Sequence, residues 1–428
     1  MTPRMPSNVA VGTALALVAA MNPALAHEAD TAALEARVAA LEARLEALLA
    51  VEHETEEPAS ELVEAPADPH TEHSYAFGGY IKLDGMWSDY SAGDLNPGSA
   101  GSQFYIPATI PVDGDRSEGP EADMQGRESR INFKSSHSLA NGASVSTFLE
   151  MDFFVSPGGD ERVSNSYNPR LRHAFVKYNN WLFGQTWSTF QDVGALPENV
   201  DFIGPSESTT FVRQAQVRYT RGPWEFALEN PETTVTPYGG GARIVADDGG
   251  LPDFAARYTA TFGTGYVKAA ALFRQLACEA IGVDDTETGL GLSLSGKHMI
   301  GRDDIRWMAT WGRGTGRYLG LNTANGVVLD EEGYLHAIDQ WGAFVSYRHF
   351  WNDQWRSNFT YGYLSNDHDV SLTGLAETAE VYSIHANLLY EPVPGLTLGS
   401  EILFAERTLE SGVSGDMTRV LLSARYAF

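Results

Sequence analysis

The chain has 428 residues, a formal net charge of -27, a pI near 4.7 and a single cysteine, Cys278. Such acidity argues against a nucleic-acid binder, which needs a basic face, and one cysteine excludes an internal disulfide framework or a cysteine-based zinc site. Mean hydropathy is -0.23 and no 18-residue apolar run follows the N-terminus, which excludes a helical membrane protein. A transmembrane β-barrel stays open, because only alternate residues of its strands need be apolar.

Residues 1–26 read as a secretory signal. Arg4 supplies the positive start, Val9 to Met21 is an apolar core too short to span a bilayer, and Ala24-Leu25-Ala26 is a small-x-small cleavage site. The mature chain is expected to begin at His27, with no cysteine there to carry a lipid anchor. Residues 27–51 are predicted to form a coiled-coil helix. Leu34, Val38, Leu41, Leu45 and Leu48 alternate spacings of four and three, Glu35 and Glu42 fall at e, and Arg37 and Arg44 fall at g. One amphipathic helix packed on its own chain is the other reading of this seam. Residues 52–75 form an acidic linker, with eight carboxylates between Glu52 and His73 and with Pro58, Pro66 and Pro69. His70 and His73 read as solvated residues of that tether, not as metal ligands.

From residue 76 to 428 the pattern has a period of two. At the C-terminus one face carries Phe428, Tyr426, Ala424, Leu422 and Val420, and the other carries Ala427, Arg425, Ser423, Leu421 and Arg419. Strands are predicted near 77–89, 127–137, 143–154, 171–178, 181–187, 212–220, 224–230, 253–262, 266–275, 288–298, 304–312, 336–350, 355–364, 379–391, 396–406 and 417–428. In 171–178 and 181–187 the phase does not settle. Short turns alternate with long polar stretches such as 90–126, 155–170, 188–211 and 231–252, the asymmetry of an outer-membrane barrel. The predicted fold is all-β, a 16-stranded antiparallel transmembrane barrel preceded by a periplasmic coiled-coil helix. A barrel of that size leaves an aqueous lumen.

Ordered local motifs resemble the DcaP-type trimeric porins of Gram-negative bacteria. They include GGYIKLDG (78–85), FYIPATIPVDG (104–114), RESRINF (127–133), FLEMDFF (148–154), LRHAF (171–175), GQTWSTFQD (184–192), LPENVDFIGP (196–205), QAQVRYT (214–220), ENPET (229–233), LPDFAARY (251–258) and YEPVPGLTLGSE (390–401). The resemblance implies a homotrimer in the outer membrane, amid lipid and lipopolysaccharide. Each barrel would admit small hydrophilic solutes, with a preference for anions such as dicarboxylates. It also implies a periplasmic coiled coil.

A charged side chain facing lipid at mid-bilayer costs about 2–4 kcal/mol, so Lys82, Arg130, Lys134, Arg218, Arg257, Arg274, Arg419 and Arg425 are assigned to the pore wall. Arginine's planar fork suits a carboxylate. The loop 188–211 is expected to fold inward opposite them, carrying Asp192, Glu198 and Asp201. Asp84, Glu150, Asp152, Glu225 and Glu229 share the inward phase, so structural ion networks are the competing role for the arginines. Residues 76–428 hold 26 basic and 43 acidic residues, net -17; any anion pathway must therefore be local. Much of the excess acid sits in loops, as at Asp247-Asp248, Asp284-Asp285 and Glu331-Glu332. No Gly-x-Ser-x-Gly, His-Glu-x-x-His or phosphate-cradling glycine loop occurs, so neither catalysis nor a cofactor nor a metal is expected. The alternative function is an anchor whose coiled coil tethers the outer membrane to the cell wall.

Overall fold

The computed structural model describes residues 72–114, 119–156, 158–159, 161–246, 248–279 and 282–428, all within the compact unit His70–Phe428. The signal segment, the heptad seam and nearly all of the linker lie outside the described residues.

Sixteen antiparallel strands close into a barrel. They are β1 (Glu72–Tyr90), β2 in two pieces (Glu121–Gln125 and Arg130–Ser138), β3 (Ser144–Asp152), β4 (Arg170–Tyr178), β5 (Trp181–Trp187), β6 (Arg213–Arg221), β7 (Trp224–Glu229), β8 (Asp253–Phe262), β9 (Gly265–Cys278), β10 (Asp285–Ile300), β11 (Asp303–Arg313), β12 (Asp339–Phe350), β13 (Trp355–Asp367), β14 (Thr378–Val393), β15 (Leu396–Leu409) and β16 (Ser414–Ala427). Each strand pairs with its sequence neighbours, and β1 closes the ring on β16 from Tyr80 opposite Ala427 to Tyr90 opposite Met417. Closure leaves no unpaired edge, the condition for a sheet to cross a bilayer.

The outward phase is mostly apolar, as at Ile81, Leu83, Phe133, Leu292, Val345 and Leu422, all exposed. Aromatic residues gather toward the strand ends, where Trp224 stands near Tyr258 and Trp355 stacks on Tyr390. One end of the barrel carries seven turns of two to five residues and the other eight connections of four to thirty.

Several long connections fold back into the barrel. Loop L1 (residues 91–120) inserts Tyr105 and Ile110 into a cluster with Met86, Val200, Leu403 and Met417. Loop L3 (188–212) crosses the lumen. Loop L6 (314–338) meets it through a bridge between Leu319 and Thr210. Loops L4 (230–252) and L6 also build a second sheet that the two-beat pattern does not foretell, from Thr233–Thr236, Ile244–Ala246, Val327–Leu329 and Leu335–Ala337. Its core takes in Val235, Val327, Leu335 and Leu276 of β9, together with the buried thiol of Cys278. These strands are three or four residues long and depend on one another, which is why no local periodicity announces them.

Candidate functional site

The lumen is narrowed by L3, and the wall's own residues hold that loop in place. On β9 the Lys268 ammonium lies 2.6 Å from Asp192, which also accepts from Ser295 Oγ at 2.9 Å. Arg257 donates to the Gln191 carbonyl at 2.5 Å and Arg306 to that of Leu196 at 2.6 Å. Glu198 accepts from Arg348 (3.0 Å) and from Arg356 (2.6 Å). Burial alone would raise this carboxyl, but Arg356 and then Arg348 outweigh it and hold Glu198 below the usual carboxylate range. Farther on, Glu401 of β15 accepts from the Val200 amide at 2.5 Å and from Asn199 Nδ2 at 3.1 Å. Asp201 takes the Tyr105 amide of L1 at 2.9 Å.

The last part of L3 lies in a trough made by inward glycines. A Cβ on Gly362 would stand 2.7 Å from Pro205 Cβ, and one on Gly342 3.1 Å from Ser208 Cα. Glu207 is buried beside them and accepts from Ser383 Oγ at 2.8 Å; burial pushes its carboxyl up to about 7. The carboxylates of L3 are therefore bonded to the wall and to L1, and Glu198 and Asp201 still line the lumen. The reason is local: a loop that carries its own acids meets a wall rich in guanidinium groups.

Between L3 and the strands β1–β5 and β14–β16 lies a cavity of about 440 Å³. Its charged lining is Lys82, Arg130, Arg172 and Arg425 against Glu128, Glu150, Glu198 and Asp201. Each carboxylate is engaged. Glu128 binds Lys82 and accepts from Tyr80 OH at 3.0 Å. Glu150 accepts from Arg172 at 2.8 Å, and Arg172 also holds Asp152 at 2.8 Å. Glu198 has Arg348 and Arg356, which stand outside the cavity lining.

Two cations keep donors in reserve. Arg425 forms no ion pair among the described residues and lies over the Tyr80 ring, 4.2 Å from its centroid. Arg130 flanks the same ring at 5.0 Å; it stands 3.5 Å from the already occupied Glu150, and its Nε has no hydrogen-bond partner. The opposed registers Tyr80–Arg130 and Lys82–Arg425 place both guanidinium groups beside one tyrosine.

The remaining residues assigned to the pore wall fall into other settings. Arg274 and Arg419 point inward but are buried beneath loops. The first bonds Asp253 (3.1 Å) and the carbonyls of Gly314 (3.0 Å) and Glu232; the second bonds Ser88 Oγ (2.7 Å) and the Gly101 carbonyl (2.7 Å). Arg218 and Arg257 share Glu225, in contacts of which the Arg218 one measures 3.5 Å. Asp84 stands 3.4 Å from Lys82, and Glu229 accepts from the Thr189 amide at 2.7 Å. Lys134 lies outside the central cavity, on the short-turn side.

Residues not singled out from sequence are Arg172, Glu128, Lys268, Arg306, Arg348 and Arg356. The last two share the phase opposite to the exposed Trp341, Val345, Phe359 and Tyr361, so strict alternation along β12 and β13 would have found them. Arg172 sits at a bulge, where Glu150 opposes His173 and Met151 opposes Leu171, so Arg172 and His173 both turn inward. Glu128 lies in the interruption of β2, which no periodicity reveals.

A closed sixteen-stranded barrel, apolar outside and polar inside with a loop folded into its lumen, is an outer-membrane channel. The chain belongs to the DcaP outer membrane protein family, matched over residues 24–428. Its fold is similar to that of the outer membrane channel DcaP of Acinetobacter baumannii, with a TM-score of 0.70 at 22% identity over 83% of this chain and 97% of that one. Similarity extends to OmpF of Salmonella typhi in complex with daunomycin (TM-score 0.52, 10% identity, 83% and 97% covered). OmpT of Vibrio cholerae is also similar (TM-score 0.50, 13% identity, 83% and 98% covered). No curated protein matches the sequence.

Proposed function

We propose that this outer-membrane channel passes small hydrophilic solutes by diffusion and favours anions, dicarboxylates among them. One observation carries the reading: every carboxylate lining the central cavity is already engaged, while beside Tyr80 Arg425 has no carboxylate partner among the described residues and Arg130 approaches only the shared Glu150, at 3.5 Å. An anion entering there would exchange part of its hydration for guanidinium N–H groups. Leaving would be easy because Arg425 is exposed and faces it from one side only. The channel acts as a homotrimer in this reading. Support comes from the outward face of β2 and β3, where Ser135 Oγ and Thr147 Oγ1 bond each other at 2.7 Å in place of a lipid-facing apolar pair.

Uptake into liposomes containing the purified protein tests the preference. Succinate should enter faster than butane-1,4-diamine, a cation of similar length. Faster entry of the diamine would refute the anion reading and leave the channel standing.

A further inference from the structure

A second cavity, of about 550 Å³, opens on the short-turn side of the central one, and the strand registers write out its wall as two rows. In the upper row Ala76, Lys134, Phe148 and Phe175 stand side by side on β1 to β4. In the lower row the same strands present Ser74, Ser136, Ser146 and Lys177. Phe148 and Phe175 lie 5.6 Å apart between ring centroids. The Lys134 ammonium sits 5.3 Å from the centre of Phe148 and that of Lys177 5.6 Å from the centre of Phe175.

Charge balance here differs from that of the central cavity. No carboxylate lines this wall, and neither lysine forms an ion pair among the described residues. The first carboxylate toward the centre is Glu150, already bonded to Arg172. Two ammonium groups therefore rest on phenyl faces, with hydroxyls from three strands around them. Phenyl faces attract cations weakly at exposed sites, on the order of 0.5–1 kcal/mol, so a carboxylate can draw the lysines away at little cost. The rings then offer a flat apolar surface to whatever carries that carboxylate.

We propose that this wall is a binding station for aromatic carboxylates, with Lys134 and Lys177 holding the carboxylate and Phe148 and Phe175 holding the ring. The station goes beyond the selectivity of the central cavity. It needs an open channel but not a particular sign of ion preference, and it distinguishes solutes of equal charge by their apolar body.

Block of single-channel KCl current by benzoate, with acetate as the control of equal charge, tests it on the full-length protein. Benzoate should block at a concentration about tenfold below that of acetate, the effect of some 1.4 kcal/mol of ring contact. Lys134→Gln with Lys177→Gln should weaken benzoate block by about the same factor. Phe148→Leu with Phe175→Leu should bring benzoate down to the level of acetate. Retained KCl conductance shows that each variant is folded and open. Equal block by the two anions in the wild type overturns the proposal. So does benzoate block that survives the lysine changes and disappears on Arg130→Gln with Arg425→Gln, since the anion would then sit in the central cavity.

Discussion

Arg274 and Arg425 both point into the barrel from alternating strands, yet their surroundings give them different work. Arg274 is 2% exposed, and its guanidinium holds Asp253 together with carbonyls of L4 and L6. Removing one partner of such a buried pair leaves the other unpaired, at about 3–5 kcal/mol. Arg274→Met should lower the unfolding temperature, read by loss of the heat-modifiable folded band on a gel, while the reversal potential of surviving channels keeps its sign. Arg425 is exposed and has no carboxylate partner among the described residues. Arg425→Gln should leave stability within about 0.5 kcal/mol and move the reversal potential toward cation preference. Alternation along the strand reveals that both side chains face inward. It does not reveal which one a loop will cover, because that depends on chain segments far away in sequence.

At the scale of elements, L3 is held by side chains from β7 round to β15 and again by Lys82 of β1, which donates to the Val200 carbonyl at 3.0 Å. The trough at Gly342 and Gly362 gives its last turn room, so Gly362→Val should push residues 205–208 off the wall. Smaller single-channel conductance with more frequent closures is the expected result, against unchanged traces if the trough is idle. Glu207 adds a pH dependence. Its carboxyl lies at about 7 in the folded protein, above its unfolded value, so the native state binds the extra proton between those two values. The groups around it are Tyr105, Ser383 and His385, with Asp201 and Glu401 beyond. This contribution to stability is full below the unfolded pKa and declines as pH rises toward 7. Thermal stability should fall between pH 5 and 8, and Glu207→Gln should flatten that slope. The strands themselves were legible: 253–262 coincides with β8 and 181–187 with β5, the first because a lipid face enforces the two-beat pattern, the second in extent though not in phase. The phase of β4 was not, since its bulge puts Arg172 and His173 on one side, and the sheet of L4 and L6 was not, since it exists only when distant loops meet.

Across the whole molecule, the excess of acid and the polarity of the central cavity are separate properties. Asp284, Glu331 and Glu332 belong to connections at the long-loop end, where charges farther apart than a Debye length of about 8 Å are screened at physiological salt. Changing these three to Asn or Gln should alter conductance at low salt and leave the sign of selectivity intact at 0.15 M. The central claim is that donors left free at Arg130 and Arg425, and not the net charge of -27, set the preference of the channel. The reversal potential of single wild-type channels across a KCl gradient tests this most directly. The account predicts the anion-selective sign. The cation-selective sign would mean that the engaged carboxylates Glu128, Glu150 and Glu198 still dominate the field in the cavity, and it would contradict the claim.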